Sequence, residues 1–504
     1  MDLNRKIGKL KPPIYYVVIA LMAVWYATML TTAVERGMTK TLTGLFGLPI
    51  LLMFPFLLRK MGIFPLFCSI VFLYWIPYNF ALEYFGPMGI SITPTEVGLY
   101  FFFALILTSY VIKPTYHSYQ WANTWRNFPI FPFLLYICGA IIAYSIGKYL
   151  LNSAIGASIY RIRALCLFPA VICFLCIYLI NTKEKAEKLL WIFLLSTLIL
   201  GILFLFGRFV FSFISLSEYA KDSGRLSMTL SAPFLGDISI NASGAGALFS
   251  IVFSLSFSFW LNTSSKKKRY LALGLVIVFV MVLLKSQGRA GLYASIFSAM
   301  AIWYLSTKFR RLSARLTFVK LLFIIICILG TTYYLAIVSE TTSFRDRGLE
   351  FFYSPLKAQS FDSRRGIWGL VIPMIIRNPF GIGANGLLAM ESTGIGELGN
   401  IYGDIWGVHN LILYLLLFSG FIGTIGFIWI FVWFIKRCMH RLNCDDPIVP
   451  FFCIAGIGII IAFFINGLSS PVLYDSWETS ILWFPVGIII AAITLPDKVL
   501  KKRT

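Results

Sequence analysis

The chain has 504 residues, 59% hydrophobic and 13% charged, with a formal net charge of +22 and a mean hydropathy of +0.83. Soluble domains carry roughly 25% charged residues, so a water-soluble globule is excluded, and the alternating short strands of an outer-membrane barrel are missing. The positive residues sit mostly at the ends of apolar runs, the pattern of membrane orientation and not of a nucleic-acid groove.

The basic start, Arg5, Lys6, Lys9 and Lys11, leads into the apolar run 14–30, which lacks a small-residue cleavage site and reads as a retained first span. Further along, spans are predicted at 14–32, 42–58, 62–80, 97–112, 130–149, 163–181, 189–216, 243–261, 271–287, 290–306, 319–338, 408–434, 450–467 and 479–495. That makes about fourteen by length and hydropathy, with a re-entrant placement left open for one or two of the early ones. Pro49, Pro55 and Pro65 are read as kinks in these helices. The expected fold class is all-α: a polytopic helical membrane protein of about 12–14 transmembrane helices with one long folded outer loop. Residues 1–504 form a single membrane domain on this reading, with 339–407 as a cap within it.

Lys and Arg in alternate connections set the orientation. The N-terminus, Arg59-Lys60, Lys183/Lys185/Lys188, Lys266 through Arg269, 308–320, Lys436-Arg437/Arg441 and 498–503 form the basic, cytoplasmic set. Segments 81–96 and 468–478 contain no Lys or Arg. Both termini are then cytoplasmic, and Arg161, Arg163, Arg225, Arg289 and the loop 339–407 lie outside. Lysine dominates the first set and arginine the second. Arginine's planar fork suits phosphate better than lysine's point charge.

Of the nine cysteines, all but Cys438 and Cys444 fall in predicted spans, so no disulfide framework is indicated. Cys173 and Cys176 form a CxxC without a second pair, which suits buried packing better than a metal site. Loops longer than about 15 residues are usually functional or disordered. The loop 339–407 holds Arg345, Arg347, Arg364, Arg365 and Arg377 together with Trp368, Phe380 and Trp406, which favours a folded, functional loop.

Four places combine polarity with the outer side. Gly224-Arg225 lies in the connection 217–242, where a solvated arginine is an equal alternative. Arg289 lies in the turn Lys285-Ser286-Gln287-Gly288-Arg289-Ala290-Gly291. An ionisable residue at such depth is a functional hypothesis by default, against snorkelling to headgroups. Arg364-Arg365 and Arg377 bound a short apolar segment that suggests an interfacial helix on the outer leaflet. His409-Asn410 ends the long loop, and His409 is the natural candidate base, with a structural or capping role as its alternative. His117 and His440 fall in cytoplasmic loops. No HExxH, outer DxD or clustered carboxylates occur, so no metal or cofactor is expected. The GxGxxG letters at 381–386 lack a strand–turn–helix context and are read as chance.

Taken together, Gly224-Arg225, the 286–291 turn, Arg365 to Trp368 with Asn378-Pro379-Phe380-Gly381-Ile382-Gly383, and His409-Asn410-Leu411 leading to Ser419-Gly420-Phe421-Ile422-Gly423 resemble the bacterial O-antigen ligases and O-antigen polymerases. The resemblance covers roughly 225–430. It implies a metal-independent membrane glycosyltransferase of the bacterial inner membrane, with its active site on the periplasmic face. Such an enzyme takes an undecaprenyl-diphosphate-linked glycan donor and a glycan, lipid A core or other acceptor. By motif position Arg225 and Arg289 would hold the diphosphate, aided by Arg364, Arg365 and Arg377, while His409 would activate the acceptor and the loop would act as a lid. The Pro-Asn pair usual after the first arginine is not intact, since Phe234 follows Pro233. About fourteen spans, more than the twelve common among the ligases, tilts the reading toward a polymerase. A lipid-linked oligosaccharide flippase is the alternative from another class, and a scaffold presenting the loop to partners is a third.

Overall fold

The computed structural model describes residues 63–72, 94–112, 114–151, 161–210, 214–216, 228–232, 236–240, 242–286, 289–310, 368–369, 371–383, 408, 410–444, 446, 448–469 and 476–496. The predicted spans 14–32, 42–58 and 319–338 and most of the long loop lie outside these residues. Within them, six helices are long and apolar enough to cross a membrane, and shorter apolar helices accompany them. The protein is a polytopic helical membrane protein.

In chain order the helices are α1 (Ile63–Phe72), α2 (Pro94–Ile112), α3 (Pro114–Asn127) and α4 (Ile130–Leu151). A π-helical turn (Arg163–Leu167) leads into α5 (Phe168–Leu179), followed by α6 (Lys183–Val210). Three short strands come next, then α7 (Ala242–Asn262), α8 (Lys266–Ser286), α9 (Arg289–Arg310), α10 (Leu411–Arg441), α11 (Val449–Gly467) and α12 (Ser476–Thr494). Among the described residues the predicted spans coincide with helices, and two stretches between them differ from the sequence reading. The polar stretch PTYHSYQWANTWRN, read as a loop with His117 in it, is the helix α3. The stretch 214–240, read as the end of a span and an outer loop, contains strands β1 (Ile214–Leu216), β2 (Met228–Ala232) and β3 (Gly236–Ile240) in an antiparallel sheet. Its register pairs like with like: Met228 opposite Ile240, Leu230 opposite Ile238, and Thr229 opposite Ser239, the period-two pattern of a short hairpin.

Small residues bring α4 and α10 together in antiparallel fashion. A Cβ on Gly139 would collide with the backbone of Gly423, and one on Gly426 would lie 2.5 Å from the Tyr136 amide nitrogen. Lipid offers no hydrophobic drive for helix association, so close backbone approach through small residues supplies the contact. A second seam, between α7, α9 and α11, is polar. Ser254 Oγ lies 2.6 Å from Ser298 Oγ, Asn262 Nδ2 donates to Ser306 Oγ at 3.0 Å, and buried Asn466 donates to Ser250 Oγ.

Aromatic rings fill the space between the seams. Trp483 of α12 is fully buried and packs against Phe133 of α4 at 5.6 Å and Phe431 of α10 at 5.4 Å. Cys173 and Cys176 give α12 its seat on α5: a Cβ on Gly487 would stand 3.2 Å from Cys176 Sγ and 3.3 Å from Cys173 Cα. The CxxC is thus packing surface. Cys438 and His440, placed by sequence in a loop, belong to the last turns of α10, and Cys438 is buried against Cys453 of α11.

The helix ends sort by charge. At one end Lys183 pairs with Asp446 at 2.7 Å, Lys268 pairs with Glu187, and Arg437 Nη1 donates to Asn127 Oδ1 at 2.9 Å. Arg441 Nη2 donates there to the Leu495 carbonyl at 3.4 Å. The other end carries Glu96, Arg161, Arg163, Lys285, the start of α9 and the start of α10.

Candidate functional site

The site grows from the start of α10, at the end opposite the basic runs. Asn410 is the helix N-cap: its Oδ1 accepts from the amides of Ile412 at 2.9 Å and Leu413 at 3.1 Å. An Asn side chain at this position satisfies backbone donors that the first helical turn leaves without partners. Val408, buried at 2% exposure, accepts through its carbonyl from Trp368 Nε1 at 2.9 Å. The neighbours of His409 are therefore fixed from both sides.

Trp368 begins a segment that stays against α10. A short helix at 371–377 buries Val371 and Ile375, which are four residues apart on one face. The turn after it docks by backbone hydrogen bonds: Ile382 N donates to the Leu417 carbonyl at 2.8 Å, and Phe421 N donates to the Pro379 carbonyl at 2.9 Å. Anchored near Val408 at one end and near Gly420 at the other, the segment follows α10 inward for roughly 18 Å at 1.5 Å per residue. Arg377 ends the short helix and is exposed.

Glycine makes this docking possible. Gly420 has φ 65° and ψ −173° inside α10, a conformation open in practice only to glycine, and a Cβ there would collide with the Phe380 backbone. Gly381, at φ 82°, would bring a Cβ to 2.5 Å from the Gly420 nitrogen, and Gly383 packs on the Tyr144 backbone of α4. The glycines of the 381–386 letters thus have a packing role at 381 and 383; 384–386 lie outside the described residues.

Beside this start of α10 stand two arginines. Arg161 Nη1 lies 3.5 Å from the hydroxyl of Tyr414, one turn into α10. Arg163, the first residue of the π-helical turn, pairs with the fully buried Glu96 at 3.3 Å. Such turns occur often at functional sites.

The start of α9 reaches the same end of the bundle. Arg289 is its first residue. A Cβ on Gly291 would lie 2.6 Å from Gly246 Cα, so this glycine serves contact with α7. Lys285 Nζ, just before the turn, donates to the Phe204 and Leu205 carbonyls of α6 at 3.3 and 2.6 Å. From α7 the link passes through Ser250 to Asn466. A Cβ on Gly467 would then stand 2.9 Å from Leu411 Cδ2. Each step is a packed contact, so the starts of α9 and α10 are held by one rigid set of helix ends. The amide end of a helix carries partial positive charge, which adds to that of an arginine placed there.

Of the predicted site residues, Arg225, Arg364, Arg365 and His409 lie outside the described residues. Arg289 opens α9, and Arg377 is exposed where the docked segment turns. The sequence reading passed over Glu96, Tyr414 and the capping role of Asn410. A lone acid at the head of an apolar run was the signal for the first. Among the described residues no group of three or more His, Cys, Asp or Glu side chains comes together.

Residues 274–428 match the family model described as O-antigen ligase. The match runs from α8 through the Arg289 turn and His409 and ends in α10 beyond the helix break at Gly420. No curated protein matches the chain.

Proposed function

We propose that this chain, which carries a domain of the O-antigen ligase and polymerase superfamily at 274–428, transfers or polymerises an undecaprenyl-diphosphate-linked glycan at the periplasmic face of the bacterial inner membrane. The observation that carries the reading is the convergence of the Arg289 helix start, the Trp368–Val408 bond beside His409 and the Arg161–Tyr414 pair on one end of the bundle. Charge segregation supports the orientation, since Lys-rich helix ends gather opposite this site.

In the reaction, an acceptor hydroxyl oxygen attacks the anomeric carbon of the lipid-linked sugar. The bond from that carbon to the phosphate oxygen breaks, and undecaprenyl diphosphate leaves. His409 takes the hydroxyl proton. Charge develops on the diphosphate, where Arg225 and Arg289, with Arg364, Arg365 and Arg377 on the cap, stabilise it. Preorganised cations in a water-poor site act on the transition state without reorganisation. Arg161, beside Tyr414 at the same end of the bundle, adds a further cation. The lipid tail lies in the bilayer between spans, and the acceptor is a glycan, a lipid A core or another hydroxyl-bearing glycoconjugate.

Arg289→Ala and His409→Ala are each expected to lower transfer by about 100-fold or more while the protein still accumulates in the membrane. Normal long-chain polysaccharide in both variants would overturn the reading. Transfer by purified protein, supplied with donor and acceptor in detergent, separates it from a flippase, which makes no bond.

A further inference from the structure

At the basic end of the bundle, the last turns of α10 and the end of α12 border a cleft of about 600 Å³, lined by Trp429, Trp433, Lys436, Arg437, His440 and Arg441 among others. It belongs to neither the proposed reaction site nor the long loop. The lining is graded along α10. Trp429, Val432 and Trp433 come first, on the side toward the membrane interior, and the four basic residues follow within two turns. Trp429 and Val432 are 47% and 42% exposed, so they turn toward the bilayer and not into the core. Arg437 stacks over the Trp433 ring at 4.6 Å, and its Nη1 donates to Asn127. Arg126 of α3 adds a second guanidinium charge nearby. Cations crowd together here at the depth where lipid headgroups lie, above tryptophans of the kind that mark that level.

Chemistry of this kind suits one occupant: an amphiphile with an anionic phosphate and an acyl body. A free phosphate would use the cations but leave the apolar wall idle, and a zwitterionic lipid would bring a second cation into a cluster that already repels itself. We propose that this cleft binds the phosphate headgroup of an anionic phospholipid from the leaflet at the basic end. Lys436, Arg437 and His440 hold the phosphate, while Trp429, Val432 and Ile493 line the first carbons of the chains. Basic pockets between spanning helices have the properties such lipids need. The bound lipid bridges α10 and α12 where Arg441 already reaches the Leu495 carbonyl.

The full chain in nanodiscs, with phosphatidylglycerol or phosphatidylcholine as the minor lipid, followed by native mass spectrometry, tests this. Wild type is expected to retain phosphatidylglycerol preferentially. Lys436→Gln with His440→Gln, both exposed positions, is expected to weaken that retention. Lys436→Gln with Arg437→Gln is expected to weaken it by about 30-fold, given the usual attraction per basic residue. Equal retention of the two lipids, or retention unchanged in both variants, would overturn the proposal. So would displacement of the lipid by millimolar inorganic phosphate, which would identify a free-anion site.

Discussion

Helix α10 meets α4 through glycines, whereas α7 meets α9 and α11 through serines and two asparagines. In the first joint, main chain lies on main chain at Gly139, Gly423 and Gly426, with no room there for even one added carbon. In the second, each hydroxyl keeps a local alternative: Ser254 Oγ also donates to the Ser250 carbonyl at 2.6 Å, and Ser298 Oγ to the Ser295 carbonyl at 3.1 Å. The glycine joint is therefore sensitive to a single carbon, and the serine joint is redundant. The glycine joint is also the one on which the 379–383 turn docks.

Gly420→Ala should show the contrast at its largest. Strain at a positive φ and overpacking against Phe380 together cost about 4 kcal/mol. Thermal unfolding in detergent should fall steeply, and an unchanged transition would refute the glycine account. Trp368→Phe keeps an aromatic ring and loses the bond to Val408, worth about 1 kcal/mol. Hydrogen exchange should rise at 371–377 while the body of α10 stays protected; exchange unchanged at 371–377 would mean that the bond does not hold the segment. The smallest effect belongs to the serines. Ser254→Ala with Ser298→Ala should cost only about 0.6 kcal/mol, the typical value of a hydrogen bond between membrane helices. A loss as large as that of Gly420→Ala would erase the distinction between the joints.

Hydropathy made most of the bundle legible, because burial in lipid demands long apolar runs whatever the packing. It passed over α3, whose polar residues hide a helix held by Trp121 against Tyr110 at 4.5 Å. It also passed over the strands, since five residues of alternation leave a weak mark beside runs of twenty. The break at Gly420 was invisible for a different reason. Glycine inside a span signals close approach, but what approaches is a segment about forty residues away along the chain, and spacing carries no trace of it. Arg289 and His409 drew notice as polar residues at the ends of apolar runs. Arg161 and Tyr414 acquire meaning only once α10 and the π-helical turn lie side by side.

The backbone bonds at Gly420 have a mechanical consequence. The break leaves the carbonyl of Leu417 and the amide of Phe421 without helical partners, and the 379–382 turn serves both. The turn is a splint through which the hydrogen-bond ladder of α10 passes. Lifting it away would strand polar backbone at membrane depth, at several kcal/mol for each group. The docked segment therefore cannot swing from this end.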